Sequence, residues 1–237
     1  MSYLGKDTTF TWLGHATFLI GTPSGHKVIV DPWLEGNPKC PKEYHDPGSI
    51  DLILLTHGHS DHIADVVPLG KKHGCPVVTN PEIAHWLRKQ GLENLIELNK
   101  GGTVEACSLQ ITMTNAHHSS GITDGDNIVY GGEPAGFIVE TENEFRFYIA
   151  GDTCVFGDMA LLRELHNPSL AILPIGDTYT MGPREAAKAA NLLGVQVVIP
   201  CHYGTFPALH GTPEQMRDAL GRLQVQVVDL EPGQTLE

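Results

Sequence analysis

Basic side chains are scarce: 15 lysines and arginines stand against 28 aspartates and glutamates in 237 residues, a formal net charge of −13. Nucleic-acid surfaces gain affinity by neutralising phosphates with a basic stripe, so no nucleic-acid partner is expected. Long apolar runs are missing too. No stretch approaches the roughly 20 apolar residues that span a bilayer, and the opening MSYLGKDTTF has no basic segment followed by an apolar one. A soluble cytoplasmic protein without a membrane partner is expected. Cysteine is sparse, and Cys40, Cys75, Cys107, Cys154 and Cys201 form no C-x-x-C. That removes a disulfide framework and a cysteine zinc knuckle from consideration. With 41% apolar content the chain can bury one large core, and residues 1–237 are expected to form a single domain.

What is present is a strand-rich pattern with helices between. TTFTWL, ATFLIG, KVIVD and DLILL alternate or run apolar between Gly and Pro punctuation, which predicts strands. A helix is expected over Ile63–Lys72, a short strand at PVVT, and a helix opening at Asn80-Pro81-Glu82, where an N-cap precedes Pro at the first helical position. LIELN, TVEAC and LQITMTNA read as strands. GFIVET and FRFYIAGD read as a hairpin turning at Asn143. Helices follow over Asp158–His166, Pro183–Leu193 (closed by Gly194) and from Thr212-Pro213-Glu214, alternating with the strands LAILPI, VQVVIP and VQVVDL. Strands dominate both halves, so two packed sheets covered by helices are expected. Asp31 to Ser49 and Gly121 to Gly136 are expected to be long loops, a class that is usually functional or mobile.

The densest chemistry lies in LLTHGHSDHIAD. In HGHSDH the spacing puts His57 and His59 on one side of an extended segment, while Asp61 and His62 begin the next turn. Imidazole and carboxylate together suit zinc, and also manganese or iron. A solvated polar loop is the alternative, but four ligand-type residues in six, directly after a buried strand, argue against it.

HGHSDH resembles the H-x-H-x-D-H signature of the metallo-β-lactamase superfamily. AHHSS, FYIAGDT and PCHYGTF resemble that superfamily's later metal motifs in the expected order. WLGHATFLI, VDPWL and LPIGDTYTMGP are similar to the branch of bacterial metal-dependent hydrolases related to ascorbate-6-phosphate lactonase. The resemblance implies an α/β fold: an αββα four-layer sandwich, two mixed sheets flanked by helices. It also implies two divalent ions, zinc or manganese, with His57, His59 and His118 at one, Asp61, His62 and His202 at the other, and Asp152 bridging. Asp61 and Asp152 would be the catalytic carboxylates. Such an ion pair activates a shared water and polarises the attacked oxygen, so the expected function is metal-dependent hydrolysis of a small cytosolic ester, lactone or phosphodiester.

Of the neighbouring histidines, alternation along LQITMTNA places His118 on the more polar face and His117 on the apolar one. Asp31, at the end of VIVD, resembles the aspartate that orients a ligand histidine. His15 is a candidate to face the centre, and Asp177, Tyr179 and Thr180 to line the pocket. Trp33 and Tyr44 could wall the site, and Lys39, Lys42 and Arg184 are the basic residues placed to meet a sugar phosphate. The partner expected is a small-molecule substrate, and a homo-oligomer is compatible with the sequence. The competing function is a non-hydrolytic redox or sensing protein on the same fold. Histidine at position 59, where flavodiiron-type members resemble H-x-E-x-D-H, argues against it.

Overall fold

The computed structural model describes residues 7–237. Residues 1–6 of the opening stretch read above for a leader lie outside them. The first half carries β1 (Thr9–Trp12), β2 (Phe18–Gly21), β3 (Lys27–Val30), β4 (Leu52–Leu54), α1 (Ser60–Ile63), α2 (Val66–His73), β5 (Val77–Thr79), α3 (Pro81–Lys89) and β6 (Leu95–Glu97). Then come β7 (Thr103–Ala106), β8 (Leu109–Asn115), β9 (Gly121–Asp124), β10 (Asn127–Tyr130), β11 (Ala135–Glu140) and β12 (Arg146–Ile149). The chain continues through α4 (Met159–His166), β13 (Leu170–Pro174), α5 (Pro183–Leu193), β14 (Val197–Cys201), α6 (Pro213–Leu220), β15 (Gln226–Val227) and β16 (Thr235–Leu236).

Two seven-stranded sheets result, in the orders β16-β1-β2-β3-β4-β5-β6 and β15-β14-β13-β12-β11-β8-β7. Both are mixed: β3 to β6 and β12 to β15 run parallel, and their other neighbours pair antiparallel. Alternation along each strand sends successive side chains to opposite faces. Val28, Val30, Leu52 and Leu54 point into the core between the sheets, where they meet Ile111, Met113, Phe137, Phe147 and Ile172 of the second sheet. Phe10 packs edge-on against Phe147 there, with ring centroids 5.0 Å apart. Truncating either ring to Ala in so closed a layer costs about 3–5 kcal/mol.

The opposite faces are covered by helices. Ile29, Ile53 and Val77 pack on Val66, Leu69, Ile83 and Leu87 of α2 and α3. Ala171, Leu173 and Val198 pack on the Ala-rich face of α5 and on Met159 and Met216 of α4 and α6. This is the αββα sandwich implied by the resemblance. No helix among the described residues is long and apolar enough to cross a membrane.

Three expectations need correction. Gly121–Gly136 is not a loop throughout, because β9 and β10 form a two-stranded sheet of their own inside it. The helix expected over Ile63–Lys72 is split at Ala64–Asp65. Pro68 has no N–H to donate and is tolerated only in a helix's first turn, which fixes the start of α2 just before it. The Asp65 carboxylate is meanwhile engaged by the Leu34 amide at 2.6 Å. Last, VQVVDL contributes only two strand residues, and β16 was not anticipated.

Candidate metal centre

Ligands in α/β sheets gather beyond the carboxyl ends of parallel strands, and here one edge of the sandwich collects several strand ends that carry metal-type side chains. Asp31 follows β3, His57 follows β4, Asp152 follows β12, His202 follows β14, and His118 lies just past β8. His15, Asp31 and His202 hold left-handed backbone, with φ of 54°, 44° and 55°. Non-glycine residues keep that conformation only where surrounding contacts over-determine it, and such corners cluster at functional sites. The His202 amide donates to the His15 carbonyl at 2.9 Å, tying two of them together.

Besides a set of Asp31, His57 and His62, two larger groups of candidate ligand atoms form among the described residues, each lying within 4.8 Å: His57, His59, His118 and Asp152, and His15, Asp61, His62 and His202. Asp152 Oδ2 sits between them, with Nε2 of His202 at 3.1 Å, His62 at 3.4 Å, His118 at 3.5 Å and His57 at 3.9 Å. His202 Nε2 lies 3.7 Å from Asp61 Oδ2. His62 Nε2, both ring nitrogens of His202, and Asp152 Oδ1 are buried without a hydrogen-bond partner. Buried polar atoms are rarely left so. Orphaned imidazole nitrogens and a carboxylate oxygen converging on one space fit divalent cations.

A hydrogen-bonded layer beneath fixes which nitrogens converge. Asp31 receives the Thr56 amide on Oδ1 at 2.8 Å and the Thr56 hydroxyl on Oδ2 at 2.6 Å. The hydroxyl proton being spent on Asp31, Thr56 Oγ1 accepts from His57 Nδ1 at 3.0 Å. Asp31 Oδ2 also takes His62 Nδ1–H at 2.8 Å. When neutral, both imidazoles therefore keep their proton on Nδ1 and turn an unprotonated Nε2 toward Asp152. His15 is different. Its Nδ1 meets the Thr205 hydroxyl at 2.9 Å and its Nε2 meets Asp61 Oδ2 at 2.9 Å, so both nitrogens are committed and it steadies Asp61.

The titration behaviour has the same origin. Burial pushes His15 down to about 4, with His202 and His62 adding to the effect, and it remains the neutral donor that Asp61 needs. Burial, reinforced by His62, holds His57 well below the imidazole range. Burial would lower His62 and His202 as well, but Asp152 and Asp31 carry His62 well above that range, and Asp152 lifts His202 to about 9. Burial opposes ionisation of Asp152 and Asp61, yet His202 and His62 hold the first carboxyl low, and the His15 hydrogen bond, with His202 and His62 nearby, holds the second. The centre attracts positive charge, whether as protons or as cations.

A cavity of about 270 Å³ opens over these groups, walled by Tyr179, Phe206 and Leu209. Trp33 stacks on Phe206 at 5.9 Å and meets His15 edge-on at 5.2 Å, whereas the Tyr44 hydroxyl is directed to the Gly233 carbonyl. Tyr179 thus lies at the mouth. Asp177 does not line the cavity: it sits exposed in a left-handed turn, its carboxylate accepting the Thr178 amide at 2.7 Å. Among the described residues no Lys or Arg lines the cavity, Lys39, Lys42 and Arg184 included. His117 is exposed and stacks on Phe156 with centroids 4.8 Å apart, outside both groups. A larger cleft of about 600 Å³, at Gln196 and Leu223–Gln226, has no side chain able to bind a metal or move a proton.

Thr56, Thr205, Ser119, Phe206 and Leu209 were not singled out from sequence. Gly176 was not either, although an added Cβ there would stand 2.0 Å from the His202 carbonyl oxygen. Backbone cannot give way as a side-chain tip can, so Gly176→Ala is expected to cost about 1–3 kcal/mol and to lower metal retention by displacing His202. Urea unfolding and metal content check this; wild-type values for both would show that the His202 corner is not rigid.

Residues 26–203 match the family model for the beta-lactamase superfamily domain. A UPF0173 metal-dependent hydrolase of Rubrobacter xylanophilus is 51% identical over 233 residues, covering 97% of this chain and 96% of the relative. One from Koribacter versatilis is 48% identical over 225 residues, covering 95% and 96%. Among solved structures, a metallo hydrolase from Ignicoccus hospitalis aligns with a TM-score of 0.85 at 33% identity, over 97% of each chain.

Proposed function

The chain belongs to the UPF0173 metal-dependent hydrolases of the metallo-β-lactamase superfamily, and we propose that it binds two divalent ions, zinc or manganese, and hydrolyses a small ester or lactone that carries no anionic group. His57, His59 and His118 would hold one ion and Asp61, His62 and His202 the other, with Asp152 shared. The observation that carries this reading is the place of Asp152 Oδ2, 3.1–3.9 Å from four imidazole Nε2 atoms.

When bound, divalent ions lower the pKa of water and polarise an attacked carbonyl or phosphoryl oxygen. The protein's part is positioning. Asp31 and Thr56 fix the tautomers of His62 and His57. His15, held by Thr205, steadies Asp61, and the Asp61 side chain, 26% exposed, is the more open of the two carboxylates, Asp61 and Asp152, that line the cavity. Phe206, Leu209 and Tyr179 wall one side of the cavity and suit an apolar group. The lack of a lining Lys or Arg disfavours phosphodiesters and sugar-phosphate lactones, whose dispersed charge calls for such donors. The resemblance to the lactonase-related branch supports lactones without anionic groups as the first compounds to assay. A cytosolic setting and the absence of nucleic-acid and membrane partners are part of the same proposal.

Elemental analysis after reconstitution with Zn²⁺ or Mn²⁺ is expected to give close to two ions per chain, and the loaded protein to turn over lactones or esters faster than matched phosphodiesters. Fewer than one ion per chain, or a preference for phosphodiesters, overturns the proposal.

A further inference from the structure

Beside the metal cavity lies a second groove, of about 480 Å³, which shares His118 and Ser119 with it and is otherwise built from the β9–β10 hairpin and the segment that follows. The hairpin pairs with neither large sheet, yet its base is fastened to the HGHSDH loop. Ser120 Oγ accepts the Gly58 amide at 3.1 Å and donates to the Gly131 carbonyl at 3.0 Å. Ile122, fully buried, fills the space where a Gly58 Cβ would stand 2.6 Å from its Cγ1. The outer strand, in contrast, presents Ile128 at 82% and Tyr130 at 66% exposure. Apolar side chains held in water on so firmly anchored an element, next to a catalytic centre, are what a substrate would cover.

The groove's polarity narrows that substrate. Its lining includes one charged side chain, Glu133, whose Oε1 accepts from the Tyr130 hydroxyl at 3.4 Å. A second carboxylate, Glu82, flanks it: Glu82 Oε2 lies 2.6 Å from where a Gly132 Cβ would stand. The nearby cation Lys100 does not line the groove and directs Nζ to Asn115 Oδ1 at 2.8 Å. Exposed aromatic faces and carboxylates together favour cations with apolar substituents.

We propose that this groove takes the non-reacting end of the substrate, and that this end is an apolar cation of the alkylammonium class. The idea rests on the hydrolase reading for its purpose, but its test does not require turnover. Zinc-loaded protein is titrated with hexyltrimethylammonium, which cannot ligate metal, and with 1-hexanol and hexanesulfonate, while backbone amide resonances are followed by NMR. The expected result is that hexyltrimethylammonium shifts the amides of residues 119–133 and binds roughly 3- to 10-fold more tightly than hexanol, with hexanesulfonate weakest. Glu133→Gln should abolish the advantage over hexanol, and Tyr130→Ala should weaken both ligands. Both residues are exposed, so the fold and the metal content should survive, and metal analysis of each variant checks this. Shifts centred elsewhere, equal affinity for the cation and the alcohol, or preference for the sulfonate would each overturn the groove assignment. Failure to find a hydrolysed ester while the cation still binds here would instead count against the hydrolysis proposal.

Discussion

Asp152→Asn is expected to abolish turnover and to leave the protein unable to retain its full complement of metal. The change is nearly isosteric, so packing is preserved and charge is the variable. The wild-type carboxylate is 4% exposed and lies among four imidazoles within 3.1–3.9 Å. Stripping the charge from one member of a buried ionic cluster costs about 3–5 kcal/mol, roughly a 10²- to 10⁴-fold loss if it falls on the reacting complex. An amide can offer only one oxygen, and its NH₂ would face the groups that now surround a carboxylate. Metal content by elemental analysis and initial rates at saturating Zn²⁺ decide the matter. A variant that keeps two ions and wild-type rates would reduce Asp152 to a turn residue in AGDT, the reading its local sequence alone supports.

Much of this centre could be read from the sequence because its ligands stand where apolar strands end. KVIV precedes Asp31, LILL precedes Thr56-His57, FYIA precedes Gly151-Asp152, and VVIPC precedes His202. A polar group at such a place either solvates a loop or serves a site, and motif order chose between the two. The same logic fails at Asp177, which also follows a buried strand. There Gly176 passes under the His202 carbonyl, and the chain turns outward with Asp177 at φ 66°. The supporting hydroxyls of Thr56, Thr205 and Ser119, which meet His57, His15 and His59, gave no signal, because a hydroxyl that orients a histidine through space has no characteristic spacing in sequence.

The fold shows a similar division. Core strands were visible through runs such as DLILL, buried on both faces. The β9–β10 hairpin was not, because it packs on one side only at its base: Ile122 is buried while Thr123, Asp124, Asn127 and Ile128 are exposed. No alternation survives over so short a span. β16 consists of Thr235 and Leu236, and what makes it a strand is its pairing with Thr11 and Phe10 at the other end of the chain. Periodicity cannot report such a contact.

His118→Ala and His117→Ala should part company, although the residues are adjacent and chemically identical. β8 ends at Asn115, and alternation through Ala116 turns the two imidazoles to opposite sides. His118 Nε2 lies 3.3 Å from His59 Nδ1 and 3.5 Å from Asp152 Oδ2. His117 points away, accepting from Asn115 Nδ2 at 2.9 Å on Nε2 and stacking on Phe156 at 13° between ring planes. Removing His118 deletes one of four clustered donor groups, and a site left with three should lose its ion to a competing chelator at far lower chelator concentration. Removing His117 leaves every clustered donor in place. Its backbone, whose N–H donates to Thr153 Oγ1 at 3.0 Å and whose carbonyl accepts the Cys154 amide at 3.2 Å, does not depend on the ring. The loss there should stay within the roughly 10- to 100-fold that follows from disturbing a group behind a ligand. Chelator competition on both variants, read as ions retained per chain, gives the ranking directly. Greater loss in His117→Ala than in His118→Ala would move the ligand to His117 and require this strand end to twist by one residue on metal binding.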